Sequence, residues 1–479
     1  MLLERIDANP DDVFRSLSKS RLPFIISGGK LPWQRRFSIA GAEPIKTIRV
    51  DPDKTITIEE DGKVTPFYKG GLGGIKETFV QGFFQTLALM LSEYKMEKAN
   101  PLPFSGGLFG YFSYDLKDVI EELKPLSGRK TSAKPATDTP LAQVGLYDAV
   151  FVHDHVANES WVASYGIKKG SIEKLKDLVK NPTPMRRMAS TQARRNRGED
   201  AQSTLGGLKI KSNLSKDEYS AMIRKALAYI ASGDIYQINL SRRLTIPIKK
   251  DPFEIYSSMT TLAPSRFPCF FDCKDFQILS NSPERFLRIT GQRAETEPIK
   301  GTRPRGKNPV QDESKIEELK KSPKENAEHV MIVDLARNDL GRISAPDTVR
   351  VESFKRIETY PALHHMVSTI SGTLKNGIGP AEALRFMFPG GSVTGAPKIR
   401  AMEIIEELEP AKRGLYTGAM GYIDLCGDMD LSMTIRTAIA KDGSLCLSVG
   451  GGIVADSDPE EEYVETEIKA ADFLKVTEK

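Results

Sequence analysis

The pattern of hydrophobic and polar positions is clearest in the stretch that begins near residue 208. Apolar side chains recur at helical spacing from Tyr219 to Ile230, and Ser215 and Glu218 occupy the two positions of a capping box. This pattern predicts a helix that begins after Ser215 and ends at Gly233. The residues that follow, DIYQINLSRRLTI, alternate apolar and polar side chains as a β-strand does.

Short glycine-containing connections join further strands near the carboxyl terminus. GAMGYIDL leads through residues 426–428 into MDLSMTIRTAIA, and the pair 442–443 then turns the chain into SLCLSVGGGIV. Such connections are typical of antiparallel hairpins. We expect MDLSMTIRTAIA to form one strand, with Arg436 on the same face as Ser432 and Thr434. Since strands cluster together with helices outside them, the pattern predicts an α+β fold.

A polar, basic stretch divides the chain. Residues 181–207 (NPTPMRRMASTQARRNRGEDAQSTLGG) have no apolar periodicity and are rich in Pro, Ser, Thr, Gly and Arg. We interpret them as an exposed linker between an amino-terminal domain (1–180), which is also rich in strand patterns, and a carboxyl-terminal domain (208–476). The stretch has no aromatic residue to stack on bases, so a nucleic-acid-binding arm is the weaker interpretation.

Composition excludes several classes of protein. The 479 residues carry a formal charge of +4, which does not suggest a nucleic-acid-binding protein. Four cysteines and five histidines are too few and too scattered for a disulfide scaffold or a His-rich metal site. No apolar run is long enough to cross a membrane, and acidic residues occupy the start of the chain where a secretory signal would be apolar. We expect a cytoplasmic protein.

Acidic residues in two helical stretches could hold a cation. Glu462, Glu465 and Lys469 fall on one face of the last helix, and Glu328 interrupts an almost wholly apolar helical stretch. Two carboxylates on separate helices suit Mg²⁺, which keeps waters and completes its shell with substrate oxygens. The alternative, for the last helix above all, is an ordinary solvated face with a Glu465–Lys469 pair.

Glycine-rich and basic segments could bind an anion. FPGGSVTGAPK (388–398) and the run Gly450, Gly451, Gly452 could present backbone N–H groups, although ordinary turns explain them equally well. In TEPIKGTRPRG (296–306), Lys300 stands before a Gly-Thr turn and two arginines follow it. A phosphate or carboxylate would suit this segment, and a merely basic loop is the alternative.

These segments together resemble the chorismate-utilising enzymes, a family that includes anthranilate synthase component I, aminodeoxychorismate synthase component I, isochorismate synthases and salicylate synthases. The motifs are long, follow the family order and cover more than half of the chain: GDIYQINLS, SNSPERF, PIKGTRPRG, AEHVMIVDLARNDLGR, YPALHHMVSTI, FPGGSVTGAPKIRAMEII, MDLSMTIRT and GGGIVADSDPEEEYVETEIKA. PFSGGLFGYFSYDL and FSIAGAEP resemble the first domain of the ammonia-using members. The resemblance implies antiparallel sheets packed as a sandwich with helices on the outside.

Two positions favour one branch of the family. Gln237 stands where the isochorismate and salicylate synthases carry a lysine base, and the ammonia-using synthases carry glutamine there. Lys300, in PIKGT, matches the aminodeoxychorismate branch, whereas anthranilate synthases typically read PIAGT. The resemblance therefore implies amination of chorismate at C4 to 4-amino-4-deoxychorismate, on the way to 4-aminobenzoate and folate. The alternative is the anthranilate branch of tryptophan biosynthesis.

The resemblance also implies roles for individual residues. Lys300 would attack C2 as a nucleophile, and Glu284 would protonate the departing C4 hydroxyl. For His365, a role in catalysis and a structural or ligand-contact role both stay open. Mg²⁺ would be held by Glu328, Glu462 and Glu465. The residues expected to bind substrate are Gln237, Thr302, Thr394, Tyr422, Arg436, Gly450, Gly451, Gly452 and Lys469.

The cysteines and the residues near the amino terminus indicate which partners and ligands to expect. None of its four cysteines stands in the setting of an amidotransferase nucleophile, so we expect a separate glutamine amidotransferase subunit to supply ammonia. Ser27 and the QRRF stretch (34–37) match positions that bind tryptophan in relatives. SRFPCFF differs from the family's NPxPYM, so tryptophan binding stays open.

Overall fold

The computed structural model describes residues 1–60, 62–68, 76–120, 139–180, 201–205 and 208–478. Its helices are α1 (Pro10–Leu17), α2 (Lys76–Glu93), α3 (Lys117–Ile120), α4 (Ser171–Lys180), α5 (Lys216–Ala231), α6 (Pro252–Leu262), α7 (Pro309–Lys321), α8 (Pro323–Ile343), α9 (Pro380–Met387), α10 (Lys398–Leu408) and α11 (Pro459–Glu478). None of the described helices combines the length and apolar composition that a membrane span needs.

The strands are numbered in chain order. Those before residue 181 are β1 (Leu2–Arg5), β2 (Phe24–Ile26), β3 (Phe37–Gly41), β4 (Lys46–Val50), β5 (Ile56–Glu60), β6 (Lys63–Tyr68), β7 (Gly107–Phe112), β8 (Ala142–Tyr147), β9 (Ala149–Asp154) and β10 (Glu159–Ser164). Those after residue 200 are β11 (Ala201–Leu205), β12 (Leu208–Ser212), β13 (Gln237–Pro247), β14 (Phe267–Asp272), β15 (Gln277–Ser282), β16 (Arg285–Thr290), β17 (Arg293–Glu297), β18 (Ile299–Pro304), β19 (Arg350–Thr359), β20 (Leu363–Thr373), β21 (Gly395–Ala396), β22 (Ala419–Asp424), β23 (Met429–Met433), β24 (Thr437–Lys441) and β25 (Ser444–Ile453).

Two antiparallel sheets organise these strands. The first sheet runs in the order β1-β10-β9-β3-β2-β14-β15-β24-β25-β13-β12-β11, and β21 pairs with β13. The second runs β18-β20-β17-β16-β23-β22-β7-β8-β4-β5-β6, and β19 pairs with β20. Aromatic rings pack between the sheets: the centroids of Phe109 on β7 and Phe271 on β14 are 5.1 Å apart. The fold is α+β, as the sequence predicts.

Helices cover the outer faces of the sheets. Buried side chains of α2, α8 and α9 join one core with the second sheet, and those of α1, α4, α6 and α11 join another with the first. A smaller core unites α5 and α10 with β13 and β25. The amphipathic faces read from the sequence are therefore buried against sheets, which removes their apolar surface from water.

Local predictions around α5 are confirmed. Ser215 Oγ accepts a hydrogen bond from the Glu218 N–H at 3.2 Å, and the Glu218 carboxylate accepts one from the Ser215 N–H at 2.7 Å. Gly233 follows the helix with φ +80°, a conformation that glycine adopts without strain. The hairpins at 426–428 and 442–443 are also present.

The prediction of a single strand over MDLSMTIRTAIA is wrong. β23 ends at Met433 in the second sheet, and β24 begins at Thr437 in the first. The chain passes between the sheets through residues 434–436, and Arg436 has φ +48°. A change of sheet leaves no break in the apolar pattern, because both strands are buried.

Part of the predicted linker lies among the described residues. Residues 201–205 form β11, which pairs with β12 from Ala201↔Ser212 to Leu205↔Leu208. Residues 181–200 lie outside the described residues. Strands from before and after this stretch lie side by side in each sheet, joined by the pairs β2–β14 and β7–β22. The division into domains 1–180 and 208–476 stays a prediction.

Candidate active site

Three glycines of β25 leave room for side chains from other elements. Gly450, Gly451 and Gly452 pair with residues 241, 240 and 239 of β13. A methyl group added at Gly452 would stand 2.7 Å from Lys300 Nζ and 3.0 Å from Gln237 Nε2. At Gly451 it would stand 2.5 Å from Glu462 Oε2. The side chains of three predicted site residues therefore converge on a surface without side chains of its own.

Lys300 reaches this surface from β18. Its Nζ lies 3.8 Å from Glu328 Oε2, and the two side chains are only 17% and 13% exposed. Gly301, the next residue, has φ +83°. A side chain there would come within 2.9 Å of Leu319 of α7, so the bend that directs Lys300 into the site needs glycine.

Gln237 is the most unusual polar residue of the site. It is fully buried, and neither its amide oxygen nor its amide nitrogen has a hydrogen-bond partner among the described residues. Leaving a buried amide unpaired costs about 1–3 kcal/mol per group. Such a residue beside Lys300 Nζ indicates that a polar ligand completes the site.

The carboxylates of Glu328 on α8 and Glu465 on α11 are close enough for their charges to interact. Burial raises the pKa of Glu328 and of Glu462, and the nearby charge of Glu465 adds to both effects. Burial would raise the pKa of Glu465 too, but the ammonium group of Lys469, 2.5 Å away, brings it below its usual value. Lys469 also donates to the Gly450 carbonyl at 2.8 Å.

These acids are suitable ligands for Mg²⁺. Glu462 Oε1 accepts from the Ser457 hydroxyl at 2.7 Å, whereas Oε2 is buried without a partner. In the described part of the chain, no group of three or more His, Cys, Asp or Glu side chains is arranged to hold a metal ion by itself, so waters and the substrate would have to supply the remaining ligands. An open set of hard oxygen donors is what Mg²⁺ uses when waters and a substrate carboxylate complete its octahedron. Glu328, Glu462 and Glu465 could hold it.

Glu284 lies at the start of β16 and is 6% exposed. Its Oε1 accepts a hydrogen bond from the Ser392 hydroxyl at 2.5 Å. Burial raises its pKa to about 7, against the opposing effects of Ser392 and of the Lys300 charge. A carboxyl group with this pKa can donate a proton near neutral pH. The sequence did not single out Ser392, although it lies in FPGGSVTGAPK.

His365 and Thr302 lie opposite each other on β20 and β18. His365 Nδ1 is 2.9 Å from the Thr302 hydroxyl. Burial, together with the Arg436 charge, lowers the pKa of His365 to about 3. The ring is therefore neutral at physiological pH.

Arg436 is a half-buried cation, and no salt bridge joins it to a carboxylate among the described residues. Burial lowers the pKa of its guanidinium, against the opposing effect of the Asp472 charge. Because a buried charge is costly unless it is paired, this residue is suited to an anionic ligand. The chain crossing at 434–436, rather than a strand, presents Arg436, and its use in substrate binding stays a prediction.

The side chains of Tyr422 and Thr394 contact other groups than the three glycines of β25. The Tyr422 ring packs 4.8 Å from Phe104 in the core between the sheets. The hydroxyl that approaches the glycines belongs to Tyr416, 2.9 Å from a methyl group placed at Gly450. Tyr416 was not predicted from the sequence, although its Gly-Leu-Tyr-Thr-Gly setting marks a close approach. The Thr394 hydroxyl donates to the carbonyls of residues 390 and 391, both at 3.1 Å.

Ser27 belongs to a different region. It follows β2, and its hydroxyl lies 2.8 Å from that of Tyr256. Arg35, from the matching 34–37 stretch, stacks over the Phe267 ring at 4.7 Å. Tryptophan binding here stays a prediction.

Comparison with known proteins agrees with this geometry. The chorismate binding enzyme family matches residues 23–475. Aminodeoxychorismate synthase component 1 of Klebsiella aerogenes is 40% identical over 76% of this chain and 76% of its own length. That of Bacillus subtilis is 37% identical over 91% and 88%. Anthranilate synthase component 1 of Thermus thermophilus is 37% identical over 96% and 93%.

A solved structure shares the fold. Anthranilate synthase component I of Streptococcus pneumoniae matches with a TM-score of 0.75 and 30% identity over 93% of each chain. The match to the family covers the segments that carry Gln237, Glu284, Lys300, Glu328, Arg436 and Glu465. The chain belongs to the family of chorismate binding enzymes.

Proposed function

We propose that the chain is an aminodeoxychorismate synthase component 1, which converts chorismate and ammonia to 4-amino-4-deoxychorismate. The observation that carries the proposal is the Lys300 amine beside the unpartnered amide of Gln237, next to Gly452. A lysine supplied by PIKGT can act as a nucleophile, whereas a glutamine at position 237 cannot serve as the base that hydration of chorismate needs.

In the first step, the Lys300 amine adds to C2 of chorismate. The two conjugated ring double bonds shift, and the bond from C4 to its hydroxyl breaks. Glu284 donates a proton, so the hydroxyl leaves as water and the carboxylate remains. Support for this role comes from the burial of Glu284 and from its pKa of about 7.

In the second step, ammonia adds to C4, the double bonds shift back, and the bond between C2 and Lys300 breaks. The lysine leaves as a neutral amine, and the new ammonium group at C4 returns a proton to Glu284. The balance is chorismate plus ammonia giving aminodeoxychorismate plus water. Covalent catalysis thereby replaces one difficult substitution by two allylic ones.

The charged groups around the glycines would fix the substrate. Arg436, without an ion-pair partner among the described residues, and Lys469 are suited to its carboxylates. The amide of Gln237 can pair with a polar group of the ring. Mg²⁺ held by Glu328, Glu462 and Glu465 would supply positive charge to neutralise the ring carboxylate. Thr302 on β18 and His365 on β20 lie opposite each other, and both would line the site.

We further propose that ammonia comes from a glutamine amidotransferase subunit. The four cysteines are buried or half-buried, and burial raises the pKa of each thiol. An amidotransferase nucleophile needs a thiolate activated by a base. The designation "component 1" of the relatives supports a second subunit.

The second candidate is anthranilate synthase component 1. The relative from Thermus thermophilus matches 96% of the chain at 37% identity, so overall similarity does not separate the two branches. Lys300 is the residue that favours the first candidate.

One assay separates the candidates. The purified chain is incubated with chorismate, Mg²⁺ and either ammonium or glutamine, and the products are separated and identified by mass. We expect 4-amino-4-deoxychorismate with ammonium and no product with glutamine alone. Anthranilate as the product would refute the branch, and glutamine-dependent product would refute the need for a second subunit.

A further inference from the structure

We propose that a small cavity bordered by Glu284, between α8 and the second sheet, is the subsite from which ammonia reaches C4 of the substrate. The inference rests on the proposed function, and it adds a binding site for the second substrate. Glu284 links the cavity to the glycine surface, because the Lys300 charge acts on its carboxyl group.

The cavity accepts a molecule of the right size. It measures about 20 Å³, and its lining includes Glu284, Phe286, Ile332, Ala336, Asp339 and Met433. A single water needs on the order of 10–15 Å³ by the same measure. The space therefore holds one molecule as small as ammonia or water.

The walls favour the neutral nucleophile. Phe286, Ile332 and Met433 are nearly fully buried and contribute apolar surface, which disfavours an unpaired ammonium ion. Asp339 carries no free charge toward the cavity, because it pairs with Lys398 at 2.6 Å. Glu284, whose Oε1 accepts from Ser392, is then the acid that can receive a hydrogen bond from ammonia.

The chemistry requires such a subsite beside Glu284. This carboxyl group donates the proton with which the C4 hydroxyl leaves, and it recovers one from the nitrogen that bonds to C4. Because the same carboxyl group exchanges a proton with the departing oxygen and with the entering nitrogen, both atoms must pass close to it. A cavity of this size in contact with Glu284 meets that requirement.

Narrowing the cavity tests the proposal. Ala336, on α8, is half-buried and lines the space, so Ala336→Val fills part of it. We expect the KM for ammonium to rise roughly tenfold. The KM for chorismate and the rate of Lys300 adduct formation without ammonia should stay unchanged. Ala221→Val, an exposed position on α5, is the matched control for the same change in a helix.

Widening the cavity gives an independent test. Ile332→Val removes one methylene from a wall residue that is 1% exposed. We expect methylamine to become a better nucleophile by roughly tenfold relative to ammonium at the same pH. Unchanged ammonium KM in Ala336→Val together with unchanged amine selectivity in Ile332→Val would overturn the subsite. If the enzyme still makes aminodeoxychorismate, those results would leave the proposed function intact. A wild-type enzyme that does not make aminodeoxychorismate would overturn both the subsite and the proposed function.

Discussion

At the scale of single residues, the surroundings of Glu284 decide how the reaction depends on pH. Burial brings its pKa to about 7, so the proton that it must donate is present below that pH and lost above it. We predict that the contribution of protonated Glu284 to kcat/KM falls about tenfold per pH unit on the alkaline side of pH 7. A pH profile with ammonium held at constant free-base concentration measures this limb.

Two variants check that the limb belongs to Glu284. Glu284→Gln should lower the rate by roughly 10²–10⁴ and remove this limb. Ser392→Ala should move it to higher pH, because the Ser392 hydroxyl stabilises the carboxylate form. An unchanged limb in Glu284→Gln would assign it to another group.

A second residue-scale prediction concerns Gly452. In Gly452→Ala, the new methyl group would stand 2.7 Å from Lys300 Nζ and 3.0 Å from Gln237 Nε2, so Lys300 must move. A displaced nucleophile of this kind costs on the order of 100-fold in kcat. Gly341→Ala is the matched control, because that glycine, on α8, has no heavy atom within 4 Å of the added methyl group. Equal activity of the two variants in steady-state assays would contradict the proposed position of the nucleophile.

At the scale of secondary structure, α8 and α11 carry the acidic residues to one place. We predict that Glu328→Ala and Glu465→Ala each lower turnover more than about 100-fold at fixed Mg²⁺, with an unchanged melting temperature. Mg²⁺ titration of EDTA-treated enzyme by calorimetry measures the loss of binding. Asp334→Ala, a 61% exposed position on α8, is the control. Near-normal activity of either glutamate variant would refute the metal site.

The helices and strands also show which features of the fold could be predicted from the sequence. The cap of α5 follows from Ser215 and Glu218 because its hydrogen bonds join residues three apart. The crossing at 434–436 could not be predicted from the sequence. Which sheet a strand joins depends on strands far away in the chain, and the segments on either side of the crossing are equally apolar. β11 was not predicted either. Its residues show only a weak strand pattern, and its pairing with β12 decides that they form a strand.

The candidate site shows the same limit. Lys300, Gln237, Glu328 and the glycines were found because motifs mark them. Tyr416 and Tyr422 are six residues apart on a stretch rich in glycine, and only the packing of Tyr422 against Phe104 tells which one approaches the site. The cavity at Glu284 was not predictable, because a void depends on how side chains of several elements fit together.

At the scale of the whole molecule, both sheets run through both halves of the chain. A fragment of residues 208–479 would leave β14 and β22 as unpaired edges and would expose the Phe271 and Tyr422 rings. We predict that it aggregates, because open apolar edges pair with other chains. Size-exclusion chromatography after expression alone, and after co-expression with residues 1–205, measures this. A monomeric fragment with the melting temperature of the full chain would contradict this view of the fold.

The central claim is that Lys300 forms a covalent bond to chorismate. The most direct measurement is the intact mass of the enzyme after incubation with chorismate and Mg²⁺ without ammonia, followed by mapping of the modified peptide. We expect an increase equal to chorismate minus one water on the peptide with Lys300, and its disappearance when ammonium is added. Lys300→Arg keeps the charge but is not an amine nucleophile, so it should form no adduct and no product. An active Lys300→Arg enzyme that makes aminodeoxychorismate, with no adduct in the wild type, would contradict the account.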